Sequence, residues 1–152
     1  MNTYILTYDV SQPEQPVLLS TLMQEGNYAD SRLSDGCLYT FTQKWVTIPD
    51  DAPFSLDYFP QVNDSPIAIG DIFLPTDTTG NCFQIITGMS LEQPYAFTAS
   101  HAILSDNGTY YVSTDSIYFA QTVILSQADT TTRTELFRFH YADGQIEAEG
   151  QT

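Results

Sequence analysis

The residues here whose types could do chemistry are His101, His140, Cys37, Cys82 and the acids Asp50, Asp51 and Asp57. A cysteine beside a histidine makes an activated thiolate when a third group orients the imidazole. Cys82 and His101 have no such third group at a recognisable spacing. Two isolated histidines fall short of a zinc ligand set. Asp50-Asp51 with Asp57 would suit calcium in a loop, but the EF-hand spacing is absent and a solvated loop is the simpler reading. No G-x-S-x-G occurs, and Gly70-Asp71 and Gly80-Asn81 lack the lysine of a phosphate loop. The sequence therefore nominates no catalytic residue, no metal ligand and no cofactor. One aromatic set remains: Tyr39, Phe41 and Trp45, at alternate positions of an extended run, could form a platform for a sugar ring. Core packing is the commoner use of such a pattern.

These residues sit on strands. CLYTFTQKWVTI sets Leu38, Thr40, Thr42 and Lys44 against Tyr39, Phe41, Gln43 and Trp45, the period-2 signature of a β-strand. FRFHYADGQI places Phe137, Phe139 and Tyr141 on one side and Arg138 and His140 on the other. Asp143-Gly144 then supplies a hairpin turn. Tyr4-Ile5-Leu6-Thr7-Tyr8, FSLDYF, CFQIIT and SIYFAQTVILS read as further strands. AFTASHAIL and TYYVS flank Asn107-Gly108 as a second hairpin. Ile67 to Phe73 is broken at Gly70-Asp71, which implies a bend. Leu18, Leu19, Leu22 and Met23 are spaced for one face of a short helix near residues 17–25, ended by Gly26. The expectation is an all-β fold, an antiparallel β-sandwich of about eight strands with that one helix. It fills residues 1–147, and 148–152 form a polar tail.

Composition narrows the function. Nineteen acids face only four bases, Arg32, Lys44, Arg133 and Arg138, for a formal charge of −15. Nucleic-acid binding needs cations to neutralise phosphates, so it is excluded as an expectation. An anionic membrane surface is excluded on the same ground. No basic leader and no long apolar run is present. The two cysteines read as buried thiols of a reducing compartment, and the expected location is cytoplasmic.

Ala68-Ile69-Gly70-Asp71, Tyr118-Phe119, Phe137-Arg138-Phe139 and Asp143-Gly144-Gln145-Ile146 together resemble the AidA/PixA family of bacterial inclusion-body proteins. The resemblance covers residues 67–88 and 117–147. It departs from the family pattern at Leu74-Pro75 and in the EAEGQT ending. It implies a non-enzymatic cytoplasmic β-sandwich that accumulates as inclusions.

A surface poor in lysine lacks a common guard against sheet association. The expected function is thus self-association into a homo-oligomer, with Arg138, His140 and Arg133 as the cations that meet an acidic neighbour. Two alternatives stand beside it. One is an acidic inhibitor or immunity protein that covers a basic partner; the other is a sugar-binding module.

Overall fold

In the computed structural model, residues 1–47, 55–75, 80–105, 108–124 and 131–151 are described. Thirteen strands form three sheets: β1 (Asn2–Asp9), β2 (Val17–Glu25), β3 (Asn27–Ser34), β4 (Cys37–Trp45), β5 (Gln61–Val62), β6 (Ser65–Pro66), β7 (Ile72–Phe73), β8 (Cys82–Ser90), β9 (Ala99–Ser105), β10 (Gly108–Val112), β11 (Ser116–Ile124), β12 (Thr132–Ala142) and β13 (Gln145–Gln151). The N-terminal sheet has the order β1-β2-β5-β6, the middle sheet β3-β4-β8-β9-β7 and the C-terminal sheet β10-β11-β12-β13. All pairs are antiparallel except β7 with β9. The only helical turns described are short 3-10 turns at Leu56–Tyr58 and Ile69–Asp71.

The middle sheet is covered on both faces, and alternation along its strands decides what each face meets. Tyr39, Phe41, Ile86 and Ile103 point one way and join Ile117, Phe119, Phe137, Phe139 and Tyr141 of the C-terminal sheet in one core. Thr40, Thr42, Ile85 and Thr87 point the other way, toward Gln24 of β2. A strand buried on both faces needs few charges at any position. β8 runs buried from Cys82 to Met89, as a strand between two layers must.

The hairpin at Asp143-Gly144 forms as its residues dictate. Both turn residues have positive φ, 51° and 75°, which the twist of a two-residue hairpin favours. Its tip seats against the middle sheet. A side chain at Gly88 would meet the Gly144 carbonyl at 2.3 Å, so only glycine allows the approach.

The all-β expectation holds, but several elements differ. Residues 17–25 are strand β2 rather than a helix: eight positions pair with β1, with a bulge between Thr7 and Tyr8. Three stacked sheets stand where a single two-layer sandwich was expected. Residues 148–151 are not a tail, since Ala148, Gly150 and Gln151 pair with Phe139, Arg138 and Phe137. β9 and β10 lie in different sheets, so the segments around Asn107-Gly108 are not paired as a hairpin; Asn107 lies outside the described residues. Of the FSLDYF stretch, Phe54 lies outside the described residues and Leu56–Tyr58 is a 3-10 turn, held by Ser55 accepting from the Asp57 amide. Asp50 and Asp51 also lie outside the described residues, which leaves the calcium reading of that loop there.

Candidate functional site

The residues that could have done chemistry do not converge. Cys82 is opposite Ser105 and His101 is opposite Ile86. They are four positions apart along one strand pair, about 13 Å at ordinary strand rise, so no thiol–imidazole pair exists. Cys37 and Cys82 lie at opposite ends of the β4–β8 ladder, both buried and free. Burial pushes the Cys82 thiol up to about 11, which removes the thiolate that nucleophilic chemistry requires. His101 Nε2 lies 2.8 Å from the Ile146 carbonyl, and its ring stacks near Phe73 and Phe139. It serves the contact between two sheets. Among the described residues no three His, Cys, Asp or Glu side chains are grouped to hold a metal.

The aromatic platform also dissolves. Tyr39 and Phe41 are fully buried in the core while Trp45 is exposed at the strand end. Tyr39 packs on Tyr141 with centroids 4.5 Å apart, and Phe41 packs on Tyr110 at 4.8 Å. The C-terminal sheet lies over both rings, so neither can meet a ligand.

The three basic residues separate as well. Arg138 and His140 face outward on the C-terminal sheet, at the positions paired with Tyr118 and Ser116. Arg138 Nε pairs with Glu149 at 3.0 Å, its guanidinium reaches Ser116 Oγ, and it lies 5.8 Å over the Tyr118 ring. Arg133 does not join them. It sits on the opposite face parity and pairs with the buried Glu135, which also accepts from Gln121 Nε2 at 2.8 Å.

A cleft of about 190 Å³ opens between Phe73-Leu74-Pro75 and the β12–β13 ribbon, with Phe139, Arg138 and Ala148 on its far wall. Its charged group is already engaged by Glu149, and among the described residues no other charged side chain lines it.

The exposed surface carries the stronger signal. The outward face of the N-terminal sheet presents Tyr4, Leu6 and Tyr8 along one strand, exposed by 58%, 48% and 46%, with exposed Leu18 opposite Tyr8. A solvated sheet face ordinarily carries polar residues at these positions. The outward face of the C-terminal sheet presents Tyr111 beside Tyr118, with Leu136 and Ile124 along the same face. Sequence reading missed both faces. The available signal was Tyr4-Ile5-Leu6, where bulky residues occupy consecutive positions and hence both sides of a strand.

Comparison with known proteins finds that a family described as a beta propeller domain matches residues 1–152. Among curated proteins and among solved structures nothing matches. The match does not bear on the inclusion-body resemblance.

Proposed function

Because the chain belongs to the beta propeller domain family, an architecture built by packing sheet on sheet around a ring, we propose that it is a non-enzymatic, self-associating structural protein. Its copies meet through the outward faces of their end sheets. The observation that carries this reading is the row Tyr4, Leu6, Tyr8 on an uncovered sheet face. Contiguous exposed apolar surface of this kind marks an interaction site. An inclusion-type role, in which the associated protein accumulates, is the extension of the same reading. The absence of converging reactive groups among the described residues is compatible with it.

The charge of −15 sets the conditions. Like-charged copies repel at low ionic strength, and salt screens that repulsion over about 10 Å at 0.1 M. Association should strengthen as salt rises from 10 to 300 mM, the opposite of a complex with a basic partner. Light scattering after size exclusion tests this. The expected result is a mass above the 17.0 kDa of one chain that increases with salt, and its loss in Leu6→Lys. A 17.0 kDa species at all salts and concentrations overturns the reading. Salt-labile co-purification of a basic protein would then favour the inhibitor alternative, which the excess of acids supports.

A further inference from the structure

We propose that the groove between the edge strands β3 and β10 binds a small organic monocarboxylate with an aromatic body, held by Arg32. The inference does not rest on self-association.

The first ground is an unpaired guanidinium. Lys44 pairs with Glu25, Arg133 with Glu135 and Arg138 with Glu149. The remaining base, Arg32, is exposed. Among the described residues it has no ion pair, no side-chain hydrogen bond and no ring beneath it. A guanidinium offers a planar fork of N–H donors that matches both oxygens of a carboxylate.

The second ground is where that group stands. β3 and β10 are edge strands of the middle and C-terminal sheets. Arg32 is opposite Tyr39 in the β3–β4 ladder, so its side chain leaves the middle sheet on the face that meets the C-terminal sheet. There the seam opens into a groove of about 490 Å³, with Arg32, Leu33 and Ser34 on one side and Tyr111, Ser113 and Tyr141 on the other. Small-ligand sites have this size and combine apolar walls with a few polar groups. The base of the groove is fixed. Tyr141 packs on Tyr39, and its hydroxyl donates to the Ser113 carbonyl at 2.7 Å. The rim is apolar, with Leu33 and Tyr111 exposed by 60% and 67%. A flat ring seated beside the guanidinium covers that surface and stacks on Tyr111.

The third ground is the charge around the groove. Asp30 shares the face of Arg32, with Phe41 opposite, while Asp35 follows Ser34 and Asp115 follows Thr114. Each is engaged locally: Asp30 accepts from the Ser31 amide, Asp35 from the Ser34 hydroxyl, and Asp115 from the hydroxyls of Ser113 and Ser116. They leave Arg32 available but set a negative field about it. One cation among three acids suits a single negative charge, and a doubly charged phosphate meets more repulsion for the same contact.

Heteronuclear NMR of the arginine Nε–H groups tests the site, with phenylacetate, acetate, benzylammonium and phenyl phosphate as probes. The expected result is a saturable shift of Arg32 with phenylacetate, while Arg138, held by Glu149, stays in place. Acetate lacks the ring and benzylammonium lacks the negative charge, so neither gives a saturable shift. Arg32→Gln should weaken phenylacetate binding about tenfold or more, read on the Tyr111 ring signals. Tyr111→Ala should weaken it about two- to tenfold. Both positions are exposed; circular dichroism checks the fold, and Arg32→Lys serves where Arg32→Gln is not folded. Equal shifts at Arg32 and Arg138 would reduce the contact to pairing with any exposed guanidinium and overturn the site. Tighter binding of phenyl phosphate than of phenylacetate overturns the monocarboxylate assignment. An affinity unchanged in Arg32→Gln, or no saturable shift in the wild type, refutes the proposal.

Discussion

The middle sheet makes two interfaces of different chemistry. Toward the C-terminal sheet it presents rings: Tyr39 on Tyr141, Phe41 on Tyr110, and Phe73 on Phe139 with centroids 5.4 Å apart. Toward the N-terminal sheet it presents a smaller apolar cluster, Phe83, Ile85 and Ala102 with Ile67 and Val62, and beside it hydroxyls around one buried amide. Gln24 Nε2 reaches Thr42 Oγ1 at 3.1 Å and the carbonyls of Ile85 and Thr40 at 3.1 and 3.3 Å, and the Thr87 hydroxyl donates to Gln24 Oε1 at 2.6 Å. Thr42 in turn donates to the Glu25 carbonyl, and Glu25 pairs with Lys44 at 2.8 Å. Apolar burial supplies non-directional stabilisation. A buried polar network adds little net energy when satisfied but costs much when any member is missing. The aromatic interface therefore carries the larger apolar core, and the N-terminal interface joins a smaller one to a polar network that fixes how the N-terminal sheet is registered.

The sharpest way to break this contrast is at the aromatic side. Phe139→Ala removes a fully buried ring that touches both sheets and should cost about 3–5 kcal/mol, read from the urea midpoint. A loss under about 1 kcal/mol would mean that the rings are not the main support. Gln24→Leu should cost less, about 1–3 kcal/mol, through the polar groups it strands. Its effect should be local: hydrogen exchange should accelerate in β1 and β2 and stay slow in β11 and β12. Uniform acceleration would merge the two interfaces into one cooperative unit.

The smallest effect is in alkali, and it again separates the faces. Cys82 and Tyr110 both lie on the aromatic side, where Tyr110 Oη donates to Gln84 Oε1 at 2.9 Å. Burial raises the Cys82 thiol to about 11 and holds the Tyr110 phenol well above its ordinary value, with Cys82 adding to the latter. A folded pKa above the unfolded one gives stability that is complete below the unfolded value, near 9 for a thiol, and lost as pH rises through about 11. Stability should therefore fall across that window, and Cys82→Ala should flatten part of the slope in pH-dependent denaturation. An unchanged slope would place the loss elsewhere.

Much of the aromatic side was legible from the chain. Phe137, Phe139 and Tyr141 alternate with polar residues and end in Asp143-Gly144, so period and turn agree. All three rings are buried as expected, and Arg138 faces outward with the half-buried His140. The polar side was not legible. Nothing local marks Gln24 as buried, because its burial is set by Thr42 and Thr87, 18 and 63 residues away. The spacing of Leu18, Leu19, Leu22 and Met23 fits a helix as well as a strand that is apolar on both sides. Only pairing with β1 decides it. The turn at Asn107-Gly108 misled because a turn signal does not say whether the next strand pairs back or leaves for another sheet. Ala102 and Ile103, consecutive and both fully buried, carried the answer: β9 has cover on two sides and belongs in a middle layer. Of the candidate surface, Arg138 and His140 were found, whereas Tyr4, Leu6 and Tyr8 were read as strand without asking what each side would meet.

Gly144 donates its amide to the Tyr39 hydroxyl at 3.0 Å, across 105 residues of chain. During synthesis, β3 and β4 emerge long before the hairpin that caps their aromatic face. At the usual pace of about 5–20 residues per second the gap is on the order of 5–20 s. For that interval Tyr39 faces outward from a nascent chain. Neighbouring ribosomes on one message would then hold matching half-built sheets within reach of each other, so the moment of greatest risk of mispairing falls before the polypeptide is released.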